Sequence, residues 1–186
     1  MAEKRVLTLW NNEGVNENDA TLLRKKSKEL NVPLDKEARA EIQVLIDSFK
    51  DRDDAVGLAA PQIGINKRII IFRNKGNEEG GKKSAGDFEV LINPRITQAR
   101  GEKVTMAEGC LSCPEIQVEV SRFPEIKVRA FNAQGEKVSK RYLDFVARVV
   151  QHEIDHLDGK LIVDYEGNLY YPAEKQGFFA KIFQTG

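Results

Sequence analysis

Both histidines of the chain fall in one stretch, Gln151-His152-Glu153-Ile154-Asp155-His156-Leu157-Asp158-Gly159. On a helix, positions four apart share a face with their Cβ atoms about 5–6 Å apart, so His152 and His156 could hold one metal ion between them. Glu153 lies one step around the helix. From there its carboxylate can reach a water on that metal without being a ligand, as His-Glu-x-x-His does in hydrolytic metalloenzymes. The bland alternative is a helix with two surface histidines beside acidic residues, and a chance match on so strongly patterned a helix is uncommon.

A catalytic metal usually takes three protein ligands and keeps a fourth position for water. The stretch Glu108-Gly109-Cys110-Leu111-Ser112-Cys113 offers the third. A Cys110 thiolate would complete the set, Gly109 would let the backbone come close, and Cys113 could serve equally on composition alone. Cys-x-x-Cys with His-x-x-x-His also spells a closed four-ligand zinc site. Against it stand the long interval between Cys113 and His152, a chain with ample core of its own, and a Glu153 left without a job. A thioredoxin-like pair fits less well, because Cys-Leu-Ser-Cys does not sit at a strand-to-helix junction. If Cys113 stays free, it could oxidise with Cys110 and inactivate the site.

These residues need elements to hold them. Phe145, Val146, Val149, Val150, Ile154 and Leu157 recur at spacings of three and four, which predicts the histidine helix, with Asp144 capping its start and Gly159 ending it. Ala38, Ile42, Leu45, Ile46 and Phe49 predict a second helix over 35–51 with Asp35 as N-cap. Residues 6–10 read as a short strand, and Asp19 or Thr21 as the opening of a helical turn through Leu22, Leu23 and Leu30. Buried strands are predicted over 68–73 and 88–92, with a flexible excursion over 74–87 between them. Further strands are expected near 103–107, 116–121, 125–131 and 137–142, with a hairpin turn over 132–135. Residues 178–183 could form a last helical turn or two. Helices segregated from mostly antiparallel strands make this an α+β fold, with the sheets packed around the histidine helix.

At 186 residues the chain reads as one domain over 1–186. Twenty-nine Lys and Arg balance 29 Asp and Glu, so the total asks for neither nucleic acid nor anionic membrane. No apolar run approaches a membrane span, and the segment after Met1 is too short for a secretory signal. With two cysteines and no disulfide framework, a cytoplasmic protein is expected.

Three stretches in order, Gly57-Leu58-Ala59-Ala60-Pro61-Gln62-Ile63-Gly64, Glu108-Gly109-Cys110-Leu111-Ser112 and Gln151-His152-Glu153-Ile154-Asp155-His156, resemble the three motifs of peptide deformylases. The resemblance extends more loosely to Ile92-Asn93-Pro94 and Ala147-Arg148-Val149-Val150. It implies an α+β fold and removal of the N-formyl group from the starting methionine of nascent polypeptides, giving formate. It implies one divalent metal, Fe²⁺ first and Zn²⁺, Ni²⁺ or Co²⁺ as substitutes, on Cys110, His152 and His156. It makes Glu153 the general acid/base and assigns Gln62 and the backbone N–H of Leu111 to the developing oxyanion. A peptide could add to the strand edge at Val56-Gly57, and the resemblance places Val56, Phe145 and Val149 around its methionine side chain. For Val56, Phe145 and Val149 ordinary core is an equal reading, and for residues 57–64 a glycine-containing turn is the other. A transient ribosome contact is left open.

The chain departs from the family at Glu115-Ile116-Gln117. Gln117 stands where some relatives carry a substrate-binding arginine, and Arg122 is the candidate to replace it. Two other functions compete: a metallopeptidase, which would draw its third ligand from downstream, and a zinc-stabilised binding module without catalysis.

Overall fold

The computed structural model describes residues 4–74 and 88–184. The flexible excursion expected over 74–87 lies, apart from Asn74, outside the described residues. In chain order the strands are β1 (Trp10–Asn11), β2 (Gly14–Val15), β3 (Gly57–Ala59), β4 (Ile69–Arg73), β5 (Phe88–Arg100), β6 (Val104–Cys110), β7 (Cys113–Arg122), β8 (Glu125–Phe131), β9 (Lys137–Leu143) and β10 (Leu169–Tyr170). The α-helices are α1 (Glu17–Leu23), α2 (Lys36–Lys50), α3 (Asp144–Leu157) and α4 (Gln176–Gln184).

The strands pair antiparallel in a five-stranded sheet, β3-β4-β5-β8-β9, a three-stranded sheet, β10-β7-β6, and the small β1-β2 ribbon. The α+β reading therefore holds. Alternation decides what each face covers. In β8, Ile126, Val128 and Ala130 are buried and join Phe72 and Tyr142 against Ala147, Val150, Ile154 and Leu157 of α3. On the other face, Ile69, Ile71, Val90 and Ile92 pack under Ile42, Leu45 and Phe49 of α2. Fully burying a side chain of this size contributes about 1.5–3 kcal/mol, so both helices are fixed chiefly by these apolar stripes. The five-stranded sheet is thus the wall that sets the position of the histidine helix.

Local signals read from the sequence place several boundaries correctly. Asp35 caps α2 by accepting from the N–H of Ala38 at 2.8 Å. Gly135 closes the β8–β9 hairpin at φ +84°, and Gly159 leaves α3 at φ +73°. A Cβ on Gly159 would come within 2.3 Å of the Arg24 carbonyl oxygen, so only glycine fits there.

Three expectations are corrected. Asp144 does not cap α3: Leu143 occupies the cap position without a side-chain bond, while Asp144 has φ +48° and donates its N–H to the Pro124 oxygen at 2.7 Å. The helix begins directly where β9 ends. Residues 6–9 join no sheet; Leu7 N–H donates to the Gln62 oxygen at 2.7 Å and Leu9 N–H to the Ser112 oxygen at 2.9 Å. This extended segment stitches together two loops instead of pairing with a strand. The first helix starts at Glu17, capped by Asn16, and stops at Leu23; Asp19 is buried, receiving two bonds from Arg5 and one from the Thr8 N–H.

Candidate active site

Helix α3 presents His152, Glu153 and His156 toward the turn that joins β6 to β7, where Cys110 sits opposite Cys113. The ligand atoms of Cys110, His152 and His156 all lie within 4.8 Å of one another. Cys110 Sγ is 3.4 Å from His156 Nε2, and the two imidazole centroids are 5.1 Å apart. Among the described residues this is the one group of three or more Cys, His, Asp or Glu that converges this way. Cys113 is not part of it. Its thiol is fully buried in an apolar cluster with Trp10, Ile116 and Phe179, so a closed cage of two cysteines and two histidines is not formed.

The donor set suits a divalent ion: a thiolate and two imidazoles serve zinc, iron and nickel alike. The thiolate is prepared for it. A hydrogen bond from Cys113 holds the Cys110 thiol well below the usual thiol range, with the neighbouring His156 adding to the effect, while that same bond and burial push Cys113 well above it.

His152 is set by a residue whose role the sequence did not disclose. Glu108, buried on β6, takes four donors, two on each carboxylate oxygen. Oε1 accepts from Arg122 Nε at 2.7 Å and Arg148 Nη1 at 2.6 Å; Oε2 accepts from Arg122 Nη2 at 2.9 Å and faces His152 Nδ1 at 3.0 Å. Burial alone would raise the Glu108 pKa, but the bonds from His152 and Arg122 hold it down at about 2. An ionised carboxylate only accepts, so Nδ1 of His152 carries the proton and Nε2 is left free toward Cys110 and His156. Arg122 also pairs with Asp155 at 2.8 Å, which locks it among carboxylates and removes it as a replacement for the substrate-binding arginine. Arg148 stands on the flank of α3 away from its apolar stripe, so the sequence carried no local signal for this buried pairing.

Glu153 is 3% exposed, and its Oε2 has no hydrogen-bond partner among the described residues. Burial pushes its carboxyl up to about 7, against the pull of the two histidines. Its position depends on Gly57. A Cβ there would stand 2.3 Å from Glu153 Oε1, far inside contact distance, so the glycine of β3 is the floor on which the carboxylate rests.

Gln62 comes from a single 3₁₀ turn, Ala60–Ile63, opened by Pro61 and ended by Gly64 at φ +80°. Its Oε1 accepts from the Ala59 N–H at 2.9 Å, which leaves Nε2 to donate to Ser112 Oγ at 3.1 Å and point at Cys110 Sγ, 4.0 Å away. The amide group is therefore aimed at the cluster before anything binds. Leu111 sits in the β6–β7 turn itself, half-buried, with the adjoining Ser112 oxygen pinned by Leu9.

These groups open into a cavity of about 790 Å³. Val56, Gly57, Phe145 and Val149 line it with Gln62, Leu111, Cys110, His152 and Glu153. Phe145 is 40% exposed at its mouth and Val149 is buried one turn deeper, which is what i, i+4 spacing on α3 gives. The sequence did not point to Met106, Arg148, Tyr170 and Tyr171 as cavity residues, yet they line it too. Arg148 spends its guanidinium on Glu108 and on the Val104 and Val120 carbonyls, so it adds only its stem.

A thiol and two imidazoles that converge, an adjoining carboxyl raised by burial and an amide pointing at the thiol define a hydrolase-type centre on an α+β fold. The polypeptide deformylase family model matches residues 13–169. A peptide deformylase of Pseudothermotoga lettingae is 41% identical over 145 residues, 77% of this chain and 76% of that protein. The crystal structure of peptide deformylase from Thermotoga maritima superposes with a TM-score of 0.71 at 33% identity, covering 90% of this chain and 100% of that one. A Met-Ala-Ser-bound class I type b peptide deformylase from Acinetobacter baumannii gives 0.69 at 30% identity, covering 86% and 99%. The chain belongs to the polypeptide deformylase family and is a hydrolase of that family.

Proposed function

We propose that the chain is a metal-dependent enzyme that removes the formyl group from the N-terminal methionine of newly made polypeptides and releases formate. The observation that carries this reading is the convergence of Cys110, His152 and His156 within 4.8 Å beside a buried Glu153. Cys110, His152 and His156 would hold one divalent ion, with Fe²⁺ preferred and Zn²⁺, Ni²⁺ or Co²⁺ able to occupy the same donors. Such an ion would lower the pKa of a coordinated water far below its bulk value, toward about 7, and so would supply a nucleophile at neutral pH.

The protein's own groups then do the rest. Glu153, with a pKa brought near 7 by burial, takes the water proton and passes it to the departing amine. Gln62 Nε2 and the Leu111 N–H face the oxygen on which negative charge develops; a donor of this kind is worth about 2.7–4 kcal/mol. Gln62→Ala is therefore expected to lower kcat by about 10²–10³, checked by formate release at saturating peptide. Val56, Phe145 and Val149 receive the methionine side chain, while the peptide backbone runs along the edge at Val56-Gly57. The Acinetobacter baumannii relative holding Met-Ala-Ser supports this occupant.

Metal removal tests the reading. A chelated sample should lose formate release from a formyl-Met peptide, keep its far-ultraviolet dichroism and recover on adding Fe²⁺. Unfolding on chelation would favour the zinc-stabilised binding module instead. Gly57→Ala gives a second, sharper expectation. The added methyl displaces the Glu153 carboxylate, and a shift of about 1 Å costs turnover about 10²-fold, with metal content by absorption spectroscopy unchanged. The cytoplasm and a transient ribosome contact belong to this same reading; among the described residues no helix is long and apolar enough to cross a membrane.

A further inference from the structure

The neutral total charge hides an uneven surface. Register places Arg95 opposite Arg129 and then Ser139, and Gln98 opposite Lys127 and then Arg141. Arg100, Glu125 and Leu143 form the next row, and Phe131 opposite Lys137 the row at the other end. Residues directly opposite each other share a face. Since Ile126, Val128 and Ala130 alternate with these positions and pack against α3, this is the face turned away from α3, beyond the part of the sheet that α2 covers. Arg95, Arg100, Arg129, Lys137 and Arg141 are exposed there and Lys127 is half-buried.

Two carboxylates meet these six cations: Glu125, paired with Arg141 and, at 3.9 Å, with Arg100, and Glu29, paired with Arg95. Glu136 in the adjoining turn is held by the Asn132 amide. Among the described residues no carboxylate pairs with Lys127, Arg129 or Lys137. Like charges directly opposite in a sheet are destabilising, yet here two such pairs, Arg95 with Arg129 and Lys127 with Arg141, stand side by side. Arg95 and Arg141 have counter-charges of their own, but each faces a cation, Arg129 or Lys127, that has none among the described residues.

We propose that this face docks the phosphate backbone of a folded RNA. Strands about 4.8 Å apart and same-face rows about 6.8 Å apart make a grid of donors that can meet several phosphates at once, and arginine forks bind phosphate in pairs. The polar Gln98 and Ser139 between the cations can add hydrogen bonds to phosphate and sugar. A lipid surface would take apolar wedges and a protein partner apolar anchors; the face offers one exposed apolar residue, Leu143, at its margin. With no exposed aromatic ring to stack bases, recognition is by charge and independent of sequence. The choice of RNA over DNA rests on the proposed action on newly made polypeptides. The cavity opens on the α3 side, so docking leaves it free.

Fluorescence anisotropy with a labelled RNA hairpin, titrated between about 50 and 200 mM salt, tests this. The wild-type protein should bind at low salt and weaken linearly in log–log form; Lys127→Thr with Arg129→Thr should reduce the slope by about two and the low-salt affinity by at least about tenfold. The same double variant should melt at a higher temperature than wild type, because the opposed cations are relieved, and should release formate from a free formyl peptide at the wild-type rate. That last assay isolates the docking claim from the proposed reaction. No binding by folded wild type at low salt, equal binding by the double variant, or equal or tighter binding to a DNA duplex or to phosphatidylserine vesicles overturns it.

Discussion

Glu153→Gln should lower turnover on a formyl-Met peptide by about 10²–10⁴, the usual contribution of a positioned acid/base, while metal content stays at one ion per chain. The amide has nearly the shape of the carboxyl it replaces, so it can occupy the same space against Gly57, but it cannot hold or return a proton. Glu153 is not among the converging donors Cys110, His152 and His156, which is why metal binding and turnover should separate. Rates at saturating peptide, with metal measured on the same samples, check this. If the variant kept more than about a tenth of wild-type turnover, the proton would be moving through another group. A loss of metal together with activity would make Glu153 a ligand instead.

The second large effect is expected at Glu108. Its carboxylate satisfies Arg122, Arg148 and His152 at once, and Arg122 and Arg148 are themselves buried. Glu108→Ala leaves two guanidinium groups without their shared counter-charge. Removing one partner of a buried ion pair destabilises by about 3–5 kcal/mol, which for a chain of this length lowers the melting temperature by roughly 6–20 °C. His152 would also lose the bond that fixes its ring. Glu108→Gln, which keeps a side chain of the same length, separates the two effects: it should bind metal about 10–100-fold more weakly, the usual consequence of removing such an outer partner. Calorimetry and a competition titration with a metal indicator measure each. A stable Glu108→Ala protein with unchanged metal affinity would show that the carboxylate is dispensable to both.

What the sequence made legible was what is local. His152 and His156 at i, i+4, Asp35 before an apolar stripe, and Gly135 and Gly159 at forced turns each carry their physical reason within a few residues. Phe145 and Val149 lie one or two turns before His152, where helical geometry allows either ordinary core or a place near the cluster, and both line the cavity. What stayed hidden depends on chain segments far apart in sequence. Nothing near Glu108 announces that Arg122 and Arg148 will reach it, from 14 and 40 residues away. Residues 6–10 carry an alternation that suits a strand, but the acceptors they find belong to two loops. Asp144 has a good capping residue's side chain and the wrong backbone: with φ at +48°, it turns the chain out of β9 before the helix proper. The segment after Tyr165 gave no functional signal, because Tyr170 and Tyr171 reach the cavity only through the pairing of β10 with β7.

The most direct measurement is formate released by protein loaded anaerobically with Fe²⁺, given a formyl-Met peptide in one arm and the same peptide acetylated in the other. The expected result is one formate per formyl peptide consumed and no deacylation of the acetyl peptide. A folded, fully metallated protein that released no formate would contradict the assignment and return the Cys110, His152 and His156 cluster to a structural role.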